Sequence, residues 1–347
     1  MSADDYRETF DRFVRFVRDK PVDRTMVALI VDSPWLPGYA GVNTLDFYFD
    51  VDVWLEVHRK VVRDLPGAAF VPGSWFEFGM AAEPSGWGVA IQWKQDGPPA
   101  VHHYPGTLDA LLDAHVPNPE SDGLMPAILR RYERMGPALA KEGLAPRMAA
   151  CRGPLAIASH LMGVTEFLMA TQMEADKCIM LIEKITDLCI RWLRCQLSYM
   201  EPFGVLVLDD VVGMLSPADA EKFALPYLKA IFEAFGDLVH IYHNDTPNPN
   251  MVKGLATIGM DVFNFSHLVD VARARADLGP DVVLMGNIPP LDVLVRGTVD
   301  DVRQATRQLL QKAEKCGPLL ISPGGGVSPE TPIANLQAML EVVGCSD

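Results

Sequence analysis

The strongest constraint on the fold of this chain is a short apolar run that recurs eight times, mostly followed by a helical pattern. The runs are continuously apolar rather than alternating, and each ends in polar, glycine or proline residues. Such runs are typical of parallel strands buried on both faces. The predicted strands cover residues 26–32, 68–76, 153–161, 204–210, 238–245, 261–267, 282–288 and 319–325. Eight β-then-α units predict an α/β protein with a (β/α)8 barrel, the TIM barrel.

We interpret residues 1–347 as a single barrel domain. Its regular alternation is interrupted at 84–150, where GVAIQWKQDG predicts a hairpin strand and a proline-rich segment follows. This stretch is interpreted as an insertion after the second strand that decorates the barrel. The N-terminal helix YRETFDRFVRFVRD is predicted to be a lid or a packing element outside the barrel.

Composition excludes several classes of function. A net charge of −15 repels phosphate backbones, so we expect no nucleic-acid partner. No apolar stretch is long enough to span a membrane, and the charged N-terminus lacks a signal segment, so we expect a cytoplasmic protein. The six cysteines form no CxxC pair, which predicts free thiols packed in or beside helices rather than a cysteine-built zinc site.

Polar residues follow most of the predicted strands at their carboxyl ends. In a barrel these ends converge on one mouth, where catalytic residues lie. Because side chains alternate along a strand, we expect only one of the neighbours Asp209 and Asp210 to face the barrel axis, while the other caps a helix or binds a loop amide. The predicted catalytic residues are Glu83, Asp209, His243 and Asp245. The predicted substrate-binding residues are Trp75, Phe76, Asn244, Asn264, Asn287 and Gly325.

The fifth predicted strand has the densest group of reactive side chains, in the sequence LVHIYHND. His240 and His243 are three residues apart and face opposite sides of a strand, although a loop beginning near Tyr242 would reunite them. With His267 and the carboxylate of Asp245, they predict a zinc-like metal site. In the alternative, which needs no metal, His243 or His240 exchanges protons while Asp245 orients the imidazole.

Three segments resemble the uroporphyrinogen decarboxylase superfamily. They are VLDDVVGMLSPADAEKFALPYLKAIFEAFG, GNIPPLDVLVRGTVDDVRQATRQLLQKA and LLISPGGGVSPETPIANLQAMLEVV, and GPLAIASHLMG resembles its third-strand turn. The resemblance extends over residues 20–345 and implies a (β/α)8 barrel. It also implies one of two chemistries, decarboxylation of a porphyrinogen or methyl transfer linked to a corrinoid.

The chain departs from the signatures of both branches. The decarboxylase branch has paired arginines near the N-terminus, whereas ALIVDSPWLPGYAGVN contains none, and Gly325 stands where that branch has a histidine. Some methyltransferases bind zinc through a His-x-Cys in strand five and a cysteine in the last glycine turn. Here His240 matches the histidine, while Tyr242 and Gly325 replace the cysteines. The segment FEFGMAAEPSGWG around Glu83 is similar to the methyltransferase branch.

The resemblance favours a methyltransferase component that acts on a small methylated substrate, for example an O-methyl aromatic compound. Its partner would be a separate corrinoid protein that carries the cobalamin, because this chain has no Asp-x-His-x-x-Gly motif. An alternative is a decarboxylase or lyase for a carboxylate substrate, with Arg24 and Arg152 as its nearest cations. A third interpretation is a binding protein without catalysis. Bound zinc and a homodimer are left open.

Overall fold

A computed structural model of the chain describes residues 3–21, 25–248 and 250–344. Ten strands follow one another along these residues. They are β1 (Ala28–Ile30), β2 (Ala69–Val71), β3 (Ile91–Gln92), β4 (Ala100–Val101), β5 (Met148–Arg152), β6 (Gly204–Leu208), β7 (Val239–Asn244), β8 (Val262–Phe265), β9 (Val283–Met285) and β10 (Leu319–Leu320).

Eight of these strands run parallel and form the barrel. Strands β5 to β10 lie side by side in the order β10-β9-β8-β7-β6-β5, and β1 pairs with β2. A parallel bridge between Val27 and Ile321 joins the β1 edge to the β10 edge. The prediction of a TIM barrel from eight apolar runs is therefore confirmed, and the strand interiors are buried as parallel strands require.

Helices surround the barrel and connect its strands. They are α1 (Ala3–Asp19), α2 (Leu36–Ala40), α3 (Thr44–Phe49), α4 (Val51–Asp64), α5 (Ala82–Ser85), α6 (Leu108–Asp113), α7 (Met125–Lys141), α8 (Pro154–Met162), α9 (Val164–Met173), α10 (Ala175–Leu197), α11 (Pro217–Phe223), α12 (Leu225–Glu233), α13 (Val252–Leu255), α14 (Val271–Leu278), α15 (Val299–Cys316) and α16 (Ile333–Gly344). A 3₁₀ turn covers Asp210–Met214 and a π-helical turn covers Pro290–Val295.

Local sequence explains where these helices begin and which face they bury, and α15 is an example. Thr298 and Asp301 form a reciprocal capping box at its N-terminus, which satisfies amide groups that the helix leaves free. Its buried residues, Val302, Thr306 and Leu309, recur at intervals of three or four, so they lie on one side of the helix. That side of the helix packs against α16, α14 and the π-helical turn.

The prediction of the third barrel strand at 153–161 is wrong. Most of that segment is helix α8, and the strand is β5, which precedes it at Met148–Arg152. Gly153 and Pro154 stand at the N-terminus of α8, where proline is well tolerated. The helix is buried along most of its length, so its apolar residues form a continuous run without helical periodicity. Such a run cannot be distinguished from a buried strand by its pattern alone.

The segment 84–150 contains several elements. The predicted hairpin is present, because β3 and β4 pair antiparallel through Ile91 and Val101. Helix α6 follows, and α7 then provides the connection to β5, whose first residues also fall in this segment.

Helix α1 is a packing element at the end of the barrel where the strands begin. The rings of Phe10 and Phe13 lie 5.7 Å and 6.1 Å from that of Phe203, which immediately precedes β6. Arg147, immediately before β5, forms an ion pair with Asp11 of α1 at 2.9 Å. Because the polar mouth lies at the opposite ends of the strands, α1 is not placed as a lid over it.

The buried apolar residues form one contiguous core. Within the described part of the chain, no helix is both long and apolar enough to cross a membrane. The thiols of Cys151, Cys178 and Cys189 are buried and free, as predicted, and Cys195 and Cys316 are free and partly buried. Cys345 lies outside the described residues.

Candidate active site

A cluster of three metal-ligating side chains lies at the carboxyl ends of β6 and β7. Asp210 begins the 3₁₀ turn after β6, His243 lies in β7, and Asp245 directly follows β7. One ligand atom from each lies within 4.8 Å of the others. The Nε2 atom of His243 is 3.6 Å from Oδ1 of Asp210, which also accepts a 3.0 Å hydrogen bond from the amide of Asp245. This arrangement offers one imidazole and two carboxylates to a single point.

The alternation of side chains along β7 selects these residues. His243 and Asp245 are two residues apart and lie on the same side of the chain, whereas His240 faces the helical layer. The ring of His240 stacks on Phe232 of α12 at 5.0 Å, and its Nδ1 lies 2.8 Å from the carbonyl oxygen of Gly259. Its side chain therefore does not join His243.

The predicted metal set of His240, His243 and His267 is thus not assembled. Of the three, only His243 belongs to the metal-ligating group found among the described residues. His267 follows β8, where its backbone lies against Gly324. Tyr242 stands where some methyltransferases of the superfamily have a zinc-binding cysteine. Its ring stacks on that of Phe263 at 5.9 Å, and its hydroxyl donates a 3.0 Å hydrogen bond to the carbonyl oxygen of Asp209. Asp210 completes the cluster instead.

The two neighbouring aspartates have separate roles, as strand alternation predicts. Asp209 is fully buried, and its carboxylate accepts hydrogen bonds from the amides of Leu155 at 2.9 Å and Ala156 at 3.0 Å. Burial raises its pKa to about 8, Asp210 adds to the rise, and the amide donors oppose it. Asp209, a predicted catalytic residue, thereby anchors the N-terminus of α8, and Asp210 is the member that joins the cluster.

Asn264 contacts the cluster from β8. Its Oδ1 lies 2.6 Å from Nδ1 of His243, and its Nδ2 donates to the carbonyl oxygen of Met285 at 2.9 Å. The other two predicted asparagines stabilise loops at the strand ends. Asn244 donates to the carbonyl oxygen of Asp209 at 2.9 Å, and Asn287 donates to those of Ser266 and Val269 at 3.1 Å and 2.8 Å.

Gly325 borders the cluster through its lack of a side chain. A β-carbon added there would lie 2.5 Å from Oδ2 of Asp245, and its φ of 127° is one that other residues rarely adopt. Glycine is therefore required by both space and backbone conformation. Gly325 therefore lies against Asp245 of the cluster, and its part in substrate binding stays a prediction.

Glu83 and Arg152 form a second polar group beside the cluster. Glu83 is buried, and its Oε1 accepts a 3.0 Å hydrogen bond from the amide of Arg152. Burial raises the pKa of Glu83, while the nearby guanidinium of Arg152 opposes the rise. That guanidinium lies 5.4 Å from the ring of Trp75 and donates to the carbonyl oxygen of Gly79 at 3.3 Å. Arg24 lies outside the described residues.

The two predicted aromatic residues differ in their surroundings. Trp75 is under the guanidinium of Arg152, in the polar group. Phe76 is fully buried, with its ring 4.2 Å from that of Trp54 and 5.0 Å from that of Tyr132. Phe76 is therefore a core residue rather than part of a pocket wall.

Asp32, which follows β1, is a candidate site residue that the sequence analysis missed. Burial raises its pKa to about 7, Glu77 contributes to the rise, and Arg152 and His243 oppose it. Asp32 therefore lies near Glu77, which follows β2, and near Arg152 of β5 and His243 of β7. Glu77 is held nearby, since its Oε1 accepts a 3.1 Å hydrogen bond from the amide of Ser33. Asp32 ends an apolar run like the other polar strand ends, and that signal would have found it.

Comparison with known proteins defines the family. The chain belongs to the uroporphyrinogen decarboxylase family, because the family model described as Uroporphyrinogen decarboxylase (URO-D) matches residues 8–344. The resemblance of the sequence segments is confirmed by this match.

Named relatives include both chemistries of the superfamily. A uroporphyrinogen decarboxylase of Carboxydothermus hydrogenoformans is 28% identical over 265 residues, which cover 74% of each chain. A methylated-thiol–coenzyme M methyltransferase of Methanosarcina mazei is 24% identical over 296 residues, covering 82% of this chain and 77% of that protein. A solved methyltransferase from Methanosarcina mazei has the same fold, with a TM-score of 0.81, 18% identity and coverage of 96% and 97% of the two chains.

Proposed function

We propose that this protein is a methyltransferase component that moves a methyl group between a small methylated substrate and a corrinoid carried by a separate protein. The observation that carries the proposal is the cluster of Asp210, His243 and Asp245 at the barrel mouth. It supplies imidazole and carboxylate groups that can hold a metal ion or a proton beside a heteroatom. The methyltransferase relative from Methanosarcina mazei supports the same chemistry.

The charges around the cluster favour this function over the binding of a polycarboxylate. Asp32, Glu77, Asp210 and Asp245 bring four carboxyl groups to the neighbouring strand ends. Arg152 opposes them, but its guanidinium already contacts the carbonyl of Gly79 and the ring of Trp75. In the metal-free site, a substrate with several carboxylates would meet more acidic than basic side chains, which disfavours its binding. A neutral or cationic methylated group would not.

The donor set of the cluster fits a divalent metal ion. Asp210, His243 and Asp245 offer two carboxylate oxygens and one imidazole nitrogen, and three such protein ligands are common where zinc keeps a position open for substrate. A metal bound there would act as a Lewis acid on the heteroatom that bears the methyl group. The proposal thus retains zinc and reassigns its ligands from the set predicted by sequence.

The protein's own residues bind the substrate and manage its proton. When the methyl group is transferred, the electron pair of the broken bond stays on the heteroatom. Protonation of that atom makes it a better leaving group. In the alternative without a metal, Asp245 is the first available donor: desolvation and the nearby Asp210 raise its pKa and His243 opposes the rise, although the carboxyl is exposed to solvent. Asp32, with a pKa of about 7, retains a proton near neutral pH and is the second available donor. The reduced corrinoid of the partner supplies the nucleophile that accepts the methyl group.

Exposed apolar side chains around the mouth support a protein partner on this face. Phe49, Met214, Leu268 and Leu291 are each more than half exposed. They lie in the connections that follow β1, β6, β8 and β9, and in a barrel of parallel strands those connections surround the mouth. Exposed apolar groups around one opening can mark a protein interface, although Met169, Met173 and Met180 of α9 and α10 are exposed to a similar extent.

The test is methyl transfer to reduced cobalamin, which serves as a substitute for the corrinoid partner. Purified protein is incubated with zinc, cob(I)alamin and a panel of methyl ethers, methylamines and methyl thioethers, and methylcobalamin is followed by its absorbance. We expect one class to be demethylated, with the rate lowered at least about 100-fold in His243→Ala. No transfer with any class, in a folded and zinc-loaded protein, would contradict the proposal.

A decarboxylase or lyase is the second candidate, and the position of Arg152 favours it. Its guanidinium is buried near Asp32 and Glu83 at the strand ends, where it would attract a carboxylate. Uroporphyrinogen decarboxylases among the relatives also favour it. Incubation with uroporphyrinogen and analysis of the product carboxylates distinguishes the two functions. We expect no decarboxylation, and stoichiometric loss of carboxylates would establish this second candidate instead.

A further inference from the structure

The side-chain amide of Asn264 has only one orientation that satisfies its neighbours. Its Nδ2 lies 2.9 Å from the carbonyl oxygen of Met285 and 3.5 Å from that of Pro323. Carbonyl oxygens only accept hydrogen bonds, so the NH₂ group must face them. The Oδ1 atom of Asn264 is consequently directed towards His243.

This orientation determines the tautomer of His243. Its Nδ1 lies 2.6 Å from Oδ1 of Asn264, and an amide oxygen is only an acceptor. Nδ1 must therefore carry the hydrogen, and in the neutral ring the lone pair is left on Nε2. That nitrogen is the one that faces Asp210, at 3.6 Å from Oδ1.

We propose that Asn264 is a positioning residue that holds His243 in the Nδ1-protonated tautomer, so that Nε2 is the nitrogen presented to a metal ion or substrate. The amide is fully buried, and both its oxygen and its nitrogen face protein groups. Asn264 therefore acts through His243. The sequence had instead suggested that Asn264 binds substrate directly. The use of Nε2 as a ligand rests on the proposed function, whereas the tautomer does not.

The network that holds this tautomer extends through four adjacent strands. His243 is in β7, Asn264 is in β8 and Met285 is in β9, and the register pairs His243 with Asn264 and Asn264 with Met285. Pro323 follows β10. Because each link is a backbone carbonyl or a buried side chain, the ring orientation is set by the barrel rather than by a mobile loop. Hydrogen-bond partners of this kind usually control the affinity of a histidine for a metal.

The chain provides a matched control in Asn335. This residue is also buried, and its Nδ2 donates to the carbonyl oxygens of Leu294 and Gly297 at 2.9 Å and 3.0 Å. It follows β10 in helix α16 and makes no contact with His243 in these hydrogen bonds. Asn335→Leu therefore removes a comparable pair of hydrogen bonds without touching the proposed positioning function.

The experiment is long-range ¹H–¹⁵N NMR of the imidazole rings in metal-free, uniformly ¹⁵N-labelled protein. The chain has eight histidines, and the signals of His243 are assigned by their loss in His243→Gln. We expect the Nδ1-protonated pattern for His243 in the wild type and in Asn335→Leu. In Asn264→Leu we expect a mixture or the Nε2-protonated pattern, together with zinc binding weakened about 10- to 100-fold.

An Nε2-protonated His243 in the wild type would overturn the proposal, as would an unchanged tautomer in folded Asn264→Leu. If Asn264→Leu does not fold, the wild-type spectrum alone decides the tautomer. The metal-free spectrum requires no substrate, corrinoid or activity. A failure to bind zinc or to transfer methyl groups would therefore contradict the proposed function while the tautomer is judged separately.

Discussion

At the scale of single residues, the direction of each side chain separates reactive groups from structural ones. His240 and His243 belong to one strand, yet one ring packs on Phe232 and the other meets Asp210. A distance of three residues places them on opposite faces, and β7 stays regular through Asn244, so no loop reunites them. Identical residue types in one short segment can therefore have different functions.

The two histidines give the first prediction. His243→Ala removes a ligand of the proposed metal site, so we expect zinc affinity to fall at least about 100-fold. His240→Ala should leave the affinity of the folded protein unchanged, because its ring faces the helical layer. Metal analysis and calorimetric titration of both variants test this, and loss of zinc in His240→Ala would contradict the assignment.

Gly325 provides a second test of the site. Gly325→Ala would force a β-carbon to within 2.5 Å of Oδ2 of Asp245 at a φ of 127°. We expect it to lower the free energy of unfolding by about 1–3 kcal/mol and to weaken zinc binding by displacing Asp245.

Gly326→Ala is the matched control for that change. A β-carbon there would meet Ile30 at 3.7 Å, which is an ordinary contact. Urea unfolding and zinc titration compare the two variants. Equal effects at both positions would show that the close approach to Asp245 has no special importance.

Asp32 predicts a particular dependence of stability on pH. Its pKa is raised from 3.8 to about 7, so the folded protein binds this proton more tightly than the unfolded chain does. The stability gained is fully present below about pH 4 and is lost as the pH rises through about 7. Between these two pH values, we expect the free energy of unfolding to fall by about 1–2 kcal/mol less in Asp32→Asn than in the wild type. This figure allows for the partial exposure of Asp32. Urea unfolding of metal-free protein from pH 4 to 8 measures the difference, and parallel curves would refute it.

At the scale of elements, the connection between β5 and α8 depends on a buried carboxylate. Asp209 accepts from two amides in the first turn of α8, although it follows β6 in sequence. A β-carbon on Gly153 would lie 2.3 Å from that carboxylate, so glycine is needed for this close contact. The helix is thereby attached to the neighbouring strand through its free N-terminal amides.

Asp209→Ala should destabilise the fold more than the loss of an ordinary helix cap. Two buried amide groups would lose their acceptor, and we expect a decrease of about 2–4 kcal/mol in the free energy of unfolding. Asp270 caps α14 through the amides of Ala272 and Arg273 at an exposed position, so Asp270→Ala should cost about 1 kcal/mol. Chemical unfolding compares the two, and a smaller effect at Asp209 would argue against an anchoring role.

At the scale of the whole molecule, the two ends of the barrel have separate tasks. The polar mouth holds the candidate site, and α1 packs on the other end through Phe10, Phe13 and Arg147. The core between them is continuous. We therefore expect substitutions in α1 to lower stability without changing the candidate site.

Phe13→Ala tests this separation. The side chain is fully buried, and its truncation should lower the free energy of unfolding by about 3–5 kcal/mol through a cavity. We expect the zinc affinity of the folded protein to be unchanged, because α1 does not reach the mouth. Calorimetry at a temperature where the variant is folded measures both quantities. A large change in zinc affinity would indicate that α1 communicates with the site.

The sequence by itself determined the barrel, since seven of the eight continuous apolar runs with a polar end mark a buried strand and its direction towards the mouth. It also indicated that His243, Asp245 and Gly325 lie at the carboxyl ends of the strands, where the structure brings them together. The third strand was misplaced because a fully buried helix, α8, has no polar face to reveal its period. Only the tertiary structure decided that Asp210 and Asn264, rather than His240 and His267, meet His243. These side-chain contacts depend on the register of neighbouring strands and on the direction of each side chain. Packing of the whole barrel sets both.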